Sequence, residues 1–223
     1  MSDSPRVIAI DGPAASGKST VARRVARALG RIYVDSGALY RGVTWKVLKA
    51  GVEPTDADAV LGAMRAADVR FSVRDGAVVF AVDGEEPGEA LRSADINRHV
   101  SPVAANPDVR RQVTAWLREM VRHGPLVMEG RDIGTAVFPD APFRFYLDAS
   151  EEERARRRHA EAASQGHSVE EIGRSLRRRD HIDSTRKTAP LRVAEGGTVI
   201  DTTGLSIDQV VEHILRTVRA PEC

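Results

Sequence analysis

Cysteine is nearly missing: the only one among 223 residues is Cys223. It has no intrachain partner for a disulfide, so a stapled scaffold is excluded and the residue reads as incidental. Aromatic residues supply only 4% of the chain, and 33 Lys and Arg stand against 32 Asp and Glu, for a net charge of +1. A nucleic-acid module could use an arginine-rich stretch, but sparse aromatics, interleaved acidic residues and near-zero net charge argue against it, so no nucleic-acid partner is expected. No apolar run approaches the roughly 18 to 20 residues of a membrane span, and the start, Met1-Ser2-Asp3-Ser4-Pro5-Arg6, lacks a signal-peptide core. A cytoplasmic protein without a membrane partner is expected. No Asn-Lys-x-Asp run reads guanine, which argues against a GTPase switch, and no repeat or low-complexity linker divides the chain. At this length it is one domain, or one with insertions.

What is present begins with Gly12-Pro13-Ala14-Ala15-Ser16-Gly17-Lys18-Ser19-Thr20. The apolar run Val7-Ile8-Ala9-Ile10 precedes it, and Val21, Val25, Ala26 and Leu29 follow at helical spacing. A strand, a glycine-bearing loop and a helix in that order make a phosphate cradle, in which backbone N–H groups turn inward and the helix dipole faces an anion. Lys18 then reaches the β- and γ-phosphates, and Ser19 holds Mg2+. The loop predicts a purine nucleoside triphosphate and magnesium, but not what receives the phosphate.

Four more short apolar runs alternate with helical patterns: Ile32–Asp35, Leu126–Glu129, Phe143–Leu147 and Thr198–Asp201. Five buried strands, each followed by helix, predict a three-layer α/β/α domain on a five-stranded parallel sheet. Ligands of such sheets bind outside the carboxyl ends of the strands. That places Asp35-Ser36 and Gly130-Arg131-Asp132-Ile133-Gly134 beside the phosphate loop, with Arg41 able to point back toward a phosphate. A helix cap at Asp35-Ser36, a solvated Arg41 and a structural Arg131–Asp132 ion pair are the plain alternatives. Between about Ala63 and Pro102 the texture changes. Val69, Phe71 and Val73 alternate with polar residues, Asp75-Gly76 is a hairpin turn, and Val78, Phe80 and Val82 alternate again. An antiparallel insertion is expected, with decoration of the main sheet's edge as the alternative. Asn97 to Pro102 leads to a helix starting near Pro107, on which Arg110 and Arg111 fall off the apolar face.

Between residues 150 and 192 arginine and lysine total eleven against eight aspartates and glutamates, with few large apolar side chains. Capping boxes at Ser150 with Glu153 and at Ser168 with Glu171 open two helices there. The segment reads as a flap rather than core, and Arg154, Arg157, Arg158 and Arg179 are positioned to close over a γ-phosphate. Charge on a transferring phosphoryl group spreads over its equatorial oxygens, which guanidinium forks neutralise. No catalytic base of the protein-kinase kind is evident. A phosphate acceptor needs none, because its second pKa near ~6 leaves the attacking oxygen anionic at neutral pH. For the base of such an acceptor, a carboxylate or hydroxyl facing an exocyclic amine favours cytosine over uracil, with an arginine donating to the ring's acceptors. Asp132, Ser101 and Arg110 are the candidates.

Taken together, Ile10 to Thr20, Asp35 to Arg41, Glu129 to Thr135 with Val137-Phe138-Pro139, and Arg179-Asp180 through Asp183, Arg186 and Ala189-Pro190-Leu191 resemble the bacterial cytidylate kinases over nearly the whole chain. The resemblance implies ATP-dependent phosphorylation of CMP and dCMP with Mg2+. It also implies the nucleoside monophosphate kinase fold, with an enlarged monophosphate-binding insert and an arginine-rich helical lid. The corresponding division is core at 1–62, 103–150 and 191–223, insert at 63–102 and lid at 151–190, in a monomer. By the same resemblance Ser36, Arg41, Ser101, Arg110, Arg131, Asp132, Asp183 and Arg186 hold CMP. Arg41, Arg131 and Arg186 face its phosphate, Ser101, Arg110 and Asp132 its base, and Asp183 its sugar. Arg157 and Arg179 meet the ATP phosphates. Within the lid this chain departs from some relatives in carrying His181, Ile182, Ser184 and Thr185. A kinase for another small acceptor, such as UMP, shikimate or gluconate, is the alternative activity.

Overall fold

The computed structural model describes residues 6–161 and 168–220. Cys223 and residues 162–167 of the arginine-rich stretch lie outside the described residues. Strand β1 (Val7–Asp11) is buried along its whole length because it has a neighbour on each side and helices above and below. The five parallel strands follow in the order β2 (Ile32–Asp35), β5 (Leu126–Gly130), β1, β6 (Phe143–Asp148) and β7 (Thr198–Asp201). These are the five runs expected from the sequence, within one residue at each end.

The hairpin is formed by β3 (Val69–Arg74) and β4 (Ala77–Val82), in register from Val69 opposite Val82 to Arg74 opposite Ala77. It is not separate from the sheet. Tyr33 of β2 bridges Ala77 of β4, so the sheet has seven strands and the hairpin extends one edge. That is the edge-decoration alternative, realised through a single bridge at the turn.

Helices α1 (Lys18–Leu29) and α8 (Ile207–Arg219) pack on one face, with Val21, Val25, Val210 and Ile214 against Ile8, Ile10 and Leu147. The other face carries α2 (Ser36–Lys49), α3 (Ala57–Arg65), α4 (Ala94–Ala105) and α5 (Pro107–Glu119), which bury Val43, Val60, Val103 and Val113 with Leu126 and Met128. Two of these helices were not foreseen. α3 is nine residues long, capped by Asp56, and buries only Val60 and Met64, too short a stripe to stand out. α4 has Pro102 in its last turn, which makes the sequence read as a break, yet Ser93 caps it and Ile96, Val100, Val103 and Ala104 form its buried face.

The remaining helices, α6 (Glu151–Glu161) and α7 (Val169–Thr185), form a hairpin of their own. Ser168 and Glu171 make the expected capping box, whereas at Ser150 the hydroxyl accepts the Glu153 N–H and the Glu153 carboxylate goes instead to Arg156 and Arg157. The segment is less bare than its composition suggests. Ala155, Ile172 and Leu176 are buried together against Ala14 of the phosphate loop. The hairpin therefore has a small apolar seat directly beside the carboxyl edge of the sheet.

Candidate active site

The phosphate loop owes its path to two glycines. At Gly12 the backbone takes φ 147°, and a Cβ there would run into the carbonyl oxygen of Leu147. At Gly17 φ is 88°, a left-handed turn that starts α1 with no side-chain cap. By contrast α2, α3, α4, α5, α7 and α8 each begin with an Asp, Asn or Ser side chain taking an N–H. The first N–H groups of α1 are thus left for an anion, and its first residue is a lysine. The Lys18 ammonium donates to the Pro13 carbonyl at 2.6 Å and reaches the Ser16 hydroxyl at 3.4 Å. Burial, and then the nearby Arg131 guanidinium, lower its pKa to about 7, against the pull of Glu129 and Asp11. An incoming polyphosphate reverses that penalty.

The loops after β1, β2 and β5 and the inner faces of α4, α5 and α7 enclose a cleft of about 730 Å3. Its lining includes Ala14, Ala15, Gly17, Lys18, Ser19 and Thr20 of the phosphate loop. All eight residues expected at the acceptor, Ser36, Arg41, Ser101, Arg110, Arg131, Asp132, Asp183 and Arg186, lie in the same lining. Gly12, Pro13 and Ser16 shape the loop from behind it.

At the floor, Asp132 sits between two buried arginines. Its carboxylate accepts from Arg110 at 2.5 Å and from Arg186 at 3.4 Å. Arg110 also stacks over the Tyr40 ring, 5.3 Å from its centroid, and donates to the Ala104 carbonyl. Burial is the largest single influence and acts to lower the Arg110 pKa, but Asp132, Tyr40 and Asp183 together outweigh it and the net shift is upward. Arg186 reaches Asp183 at 3.4 Å, and Asp183 in turn accepts from Arg131 at 3.0 Å. The adjacent Arg131 and Asp132 thus do not pair with each other as the plain alternative had it. Each turns to a different partner, and the result is a chain of alternating charge from Arg110 to Arg131.

Toward the phosphate loop the charge becomes one-sided. Arg41 is held by Asn97 Oδ1 at 2.8 Å and the Leu91 carbonyl at 3.1 Å, and its pKa falls to about 10 through burial and the neighbouring Arg158 and Arg131, with Asp35 opposing. Arg179 falls to about 9, from burial and then Arg131 and Arg41. Cations packed this closely repel one another, and a phosphate between them relieves the repulsion. Opposite them Ser19 donates its hydroxyl to Glu129 Oε1 at 2.5 Å, and the Tyr33 hydroxyl donates to the same oxygen at 3.1 Å. Burial and then Glu129 push the Tyr33 hydroxyl's pKa up, and the same two causes raise the Asp35 carboxyl to about 6.

Two arginines expected over the donor phosphates, Arg154 and Arg157, lie against the phosphate loop but not in the cleft lining. Arg157 donates to the Thr202 carbonyl at 2.6 Å, to the Thr202 hydroxyl and to Glu153, outside the cleft lining. Arg154 is buried under the loop, joined to Asp180 and to the Ala14 and Ala149 carbonyls. Their position in a mixed-charge helix gave no sign of this, since Thr202, Asp180 and Ala14 are distant in sequence. Arg158 and Arg179 do line the cleft. Sequence reasoning also passed over Glu129 as a partner of Ser19, and Asp11, which is buried and accepts the N–H groups of Ile133 and Gly134. A carboxylate at the end of an otherwise apolar strand was the available signal for both.

A family model described as cytidylate kinase matches residues 8–220. A cytidylate kinase from Caldanaerobacter subterraneus subsp. tengcongensis is 44% identical over 214 residues, covering 95% of this chain and 94% of that protein. One from Mycobacterium avium is 46% identical over 219 residues, covering 96% and 95%. Among solved structures, a protein from Eubacterium ventriosum superposes with a TM-score of 0.55 at 10% identity, covering 96% of this chain and 98% of that one, a likeness of fold alone.

Proposed function

The chain belongs to the cytidylate kinase family, and from that premise we propose how its cleft performs the reaction. The reaction is phosphoryl transfer to CMP or dCMP, with ATP as donor. The observation that carries the assignment of roles is the buried Arg110–Asp132–Arg186 network facing the uncapped start of α1 across one cleft. One side is built for a polyphosphate. The other presents a fixed carboxylate and guanidinium to a base.

The triphosphate lies on the loop amides and Lys18, with Arg179 over its terminal group. The monophosphate's own phosphate enters between Arg41 and Arg131, and its oxygen is the nucleophile. It is already anionic, so no base has to remove a proton, and the barrier falls through alignment and charge neutralisation. Asp132 accepts from the cytosine amine, while Arg110 donates to the ring's acceptor atoms and Ser101 completes that edge. Uracil would set a carbonyl against the carboxylate, a mismatch worth roughly 1 to 3 kcal/mol. Asp183 takes a sugar hydroxyl, and Arg186 holds Asp132 and Asp183 in place while adding charge toward the phosphate. The hairpin of α6 and α7 acts as the lid and excludes water.

Magnesium prefers oxygen ligands and keeps several waters. Ser19 and Glu129, whose oxygens lie 2.5 Å apart at the mouth of the loop, fit that preference and would hold it. Mg2+ held there would supply charge neutralisation for the triphosphate. The residues' own part is to present two oxygens in a fixed spacing, with Tyr33 orienting the carboxylate.

The test is the ratio of kcat/KM for CMP to that for UMP, in the native protein and in Asp132→Asn. The native protein should favour CMP, and the variant should lose about tenfold or more of that preference with the KM for ATP little changed. An unaltered ratio in the variant would remove Asp132 from base reading.

A further inference from the structure

Two of the residues assigned to the acceptor, Arg131 and Asp132, lead directly into a turn, and what holds that turn is not on the acceptor side. Gly130, Arg131 and Asp132 run directly into a single π-helical turn, Ile133–Val137. Asp132 hangs the turn on its own carbonyl, which accepts from Ala136 at 2.9 Å and Val137 at 3.1 Å. The first two N–H groups of the turn face back toward β1. There Asp11 takes both, Ile133 N–H on Oδ1 at 2.8 Å and Gly134 N–H on Oδ2 at 2.7 Å. At the other end Arg118 of α5 donates Nε to the Val137 carbonyl and Nη2 to the Ala136 carbonyl, both at 2.9 Å.

We propose that Asp11 and Arg118 form a two-ended clamp on this turn, and that they are positioning residues for Arg131 and Asp132 in the acceptor site. A carboxylate with one N–H on each oxygen fixes the turn against rotation, and a guanidinium with two parallel bonds does the same at the opposite end. Asp11 has a second attachment: it is the residue before Gly12, so the same peptide that starts the donor loop carries the clamp for the acceptor turn. The donor and acceptor halves of the cleft are thereby set at a fixed spacing by one side chain. The surroundings allow little slack. A Cβ on Gly130 would strike the Ser36 hydroxyl, and one on Gly134 would press within 3.2 Å of the Arg144 side chain. Neither Asp11 nor Arg118 lines the cleft, so neither acts by touching substrate.

This clamp rests on the acceptor reading given above, and two variants test it. Asp11→Asn keeps the shape but offers one acceptor oxygen and sets an amide N–H2 against the second backbone N–H. It should raise the KM for CMP about tenfold or more and lower kcat, while the KM for ATP stays within about threefold. Arg118→Met, on an exposed side chain remote from the cleft, should raise the CMP KM by a smaller factor with the same sparing of ATP. In both, deuterium exchange should quicken in the peptide spanning 130–137 and not in the phosphate-loop peptide. Equal shifts in the two KM values, or unchanged exchange at 130–137, would overturn the clamp. Should Asp11→Asn fail to fold, Arg118→Met decides alone, and native CMP kinetics with native exchange in it would sink the proposal. Failure of the native protein to use CMP would instead count against the acceptor reading, and the exchange measurement would still judge the clamp.

Discussion

Removing the Asp132 carboxylate has a cost that the cleft's geometry allows to be worked out. Asp132 is 3% exposed, Arg110 2% and Arg186 9%, so Asp132→Ala strands two guanidiniums out of water. They do not lose equally. Arg186 keeps Asp183 at 3.4 Å and the Ala189 carbonyl at 2.8 Å. Arg110 keeps only the Ala104 carbonyl at 3.2 Å and the Tyr40 ring, and its Nε already has no partner among the described residues. Breaking a buried pair from one side typically costs about 3 to 5 kcal/mol, and because one of the two arginines is rescued the low end, about 3 kcal/mol, is expected. Urea unfolding followed by tryptophan fluorescence measures it. Adding Arg110→Met removes the stranded charge, so the double variant should regain about 1 to 3 kcal/mol relative to the sum of the single ones. A loss under about 1 kcal/mol in Asp132→Ala, or strict additivity in the pair, would refute the claim that this network is dry and mutually dependent.

Lys18→Ala should nearly abolish turnover while near-ultraviolet circular dichroism stays native; retained turnover would take Lys18 out of the reaction. The cation cluster of Arg41, Arg131 and Arg179 predicts that inorganic phosphate raises the melting temperature more than chloride at equal ionic strength, by about 2.7 kcal/mol of stability at a hundredfold excess over its dissociation constant. Equal melting in the two salts would argue against a preformed anion site. Burial raises the Asp11 carboxyl from 3.8 to about 7, with Asp132 adding to the rise and the two N–H bonds and Lys18 opposing it. A native-state pKa above the unfolded one means that this residue's contribution is complete below about pH 4 and is lost as the pH climbs through 7. The stability of the native protein relative to Asp11→Asn should therefore fall between pH 4 and 8, and a flat difference in urea unfolding would contradict it.

Much of this was legible in the residue order, for a physical reason. Buried parallel strands write themselves as short apolar runs, and a parallel sheet gathers its strand ends on one edge, so Gly12 to Ser19, Asp35-Ser36 and Arg131-Asp132 had to converge. What stayed hidden was every relation across space. Asp11 meets Ile133 at a separation of 122 positions, and Ser19 meets Glu129 at 110. The lid arginines illustrate the same limit, since Arg154, Arg157 and Arg158 look interchangeable on one charged helix. Only packing decides that Arg158 lines the cleft while Arg154 and Arg157 hold the loop and Thr202. Alternation identifies the hairpin of the insert but says nothing about a single bridge from Ala77 to Tyr33.

In the proposed reaction one cleft brings ATP and a cytosine monophosphate together. A competition assay measures this most directly: the purified protein, ATP and Mg2+ with equimolar CMP, dCMP, UMP and AMP in one tube, and the four diphosphates resolved over time. CDP and dCDP should appear first and well ahead of UDP and ADP. Four diphosphates rising together, or UDP leading, would contradict the proposed reaction.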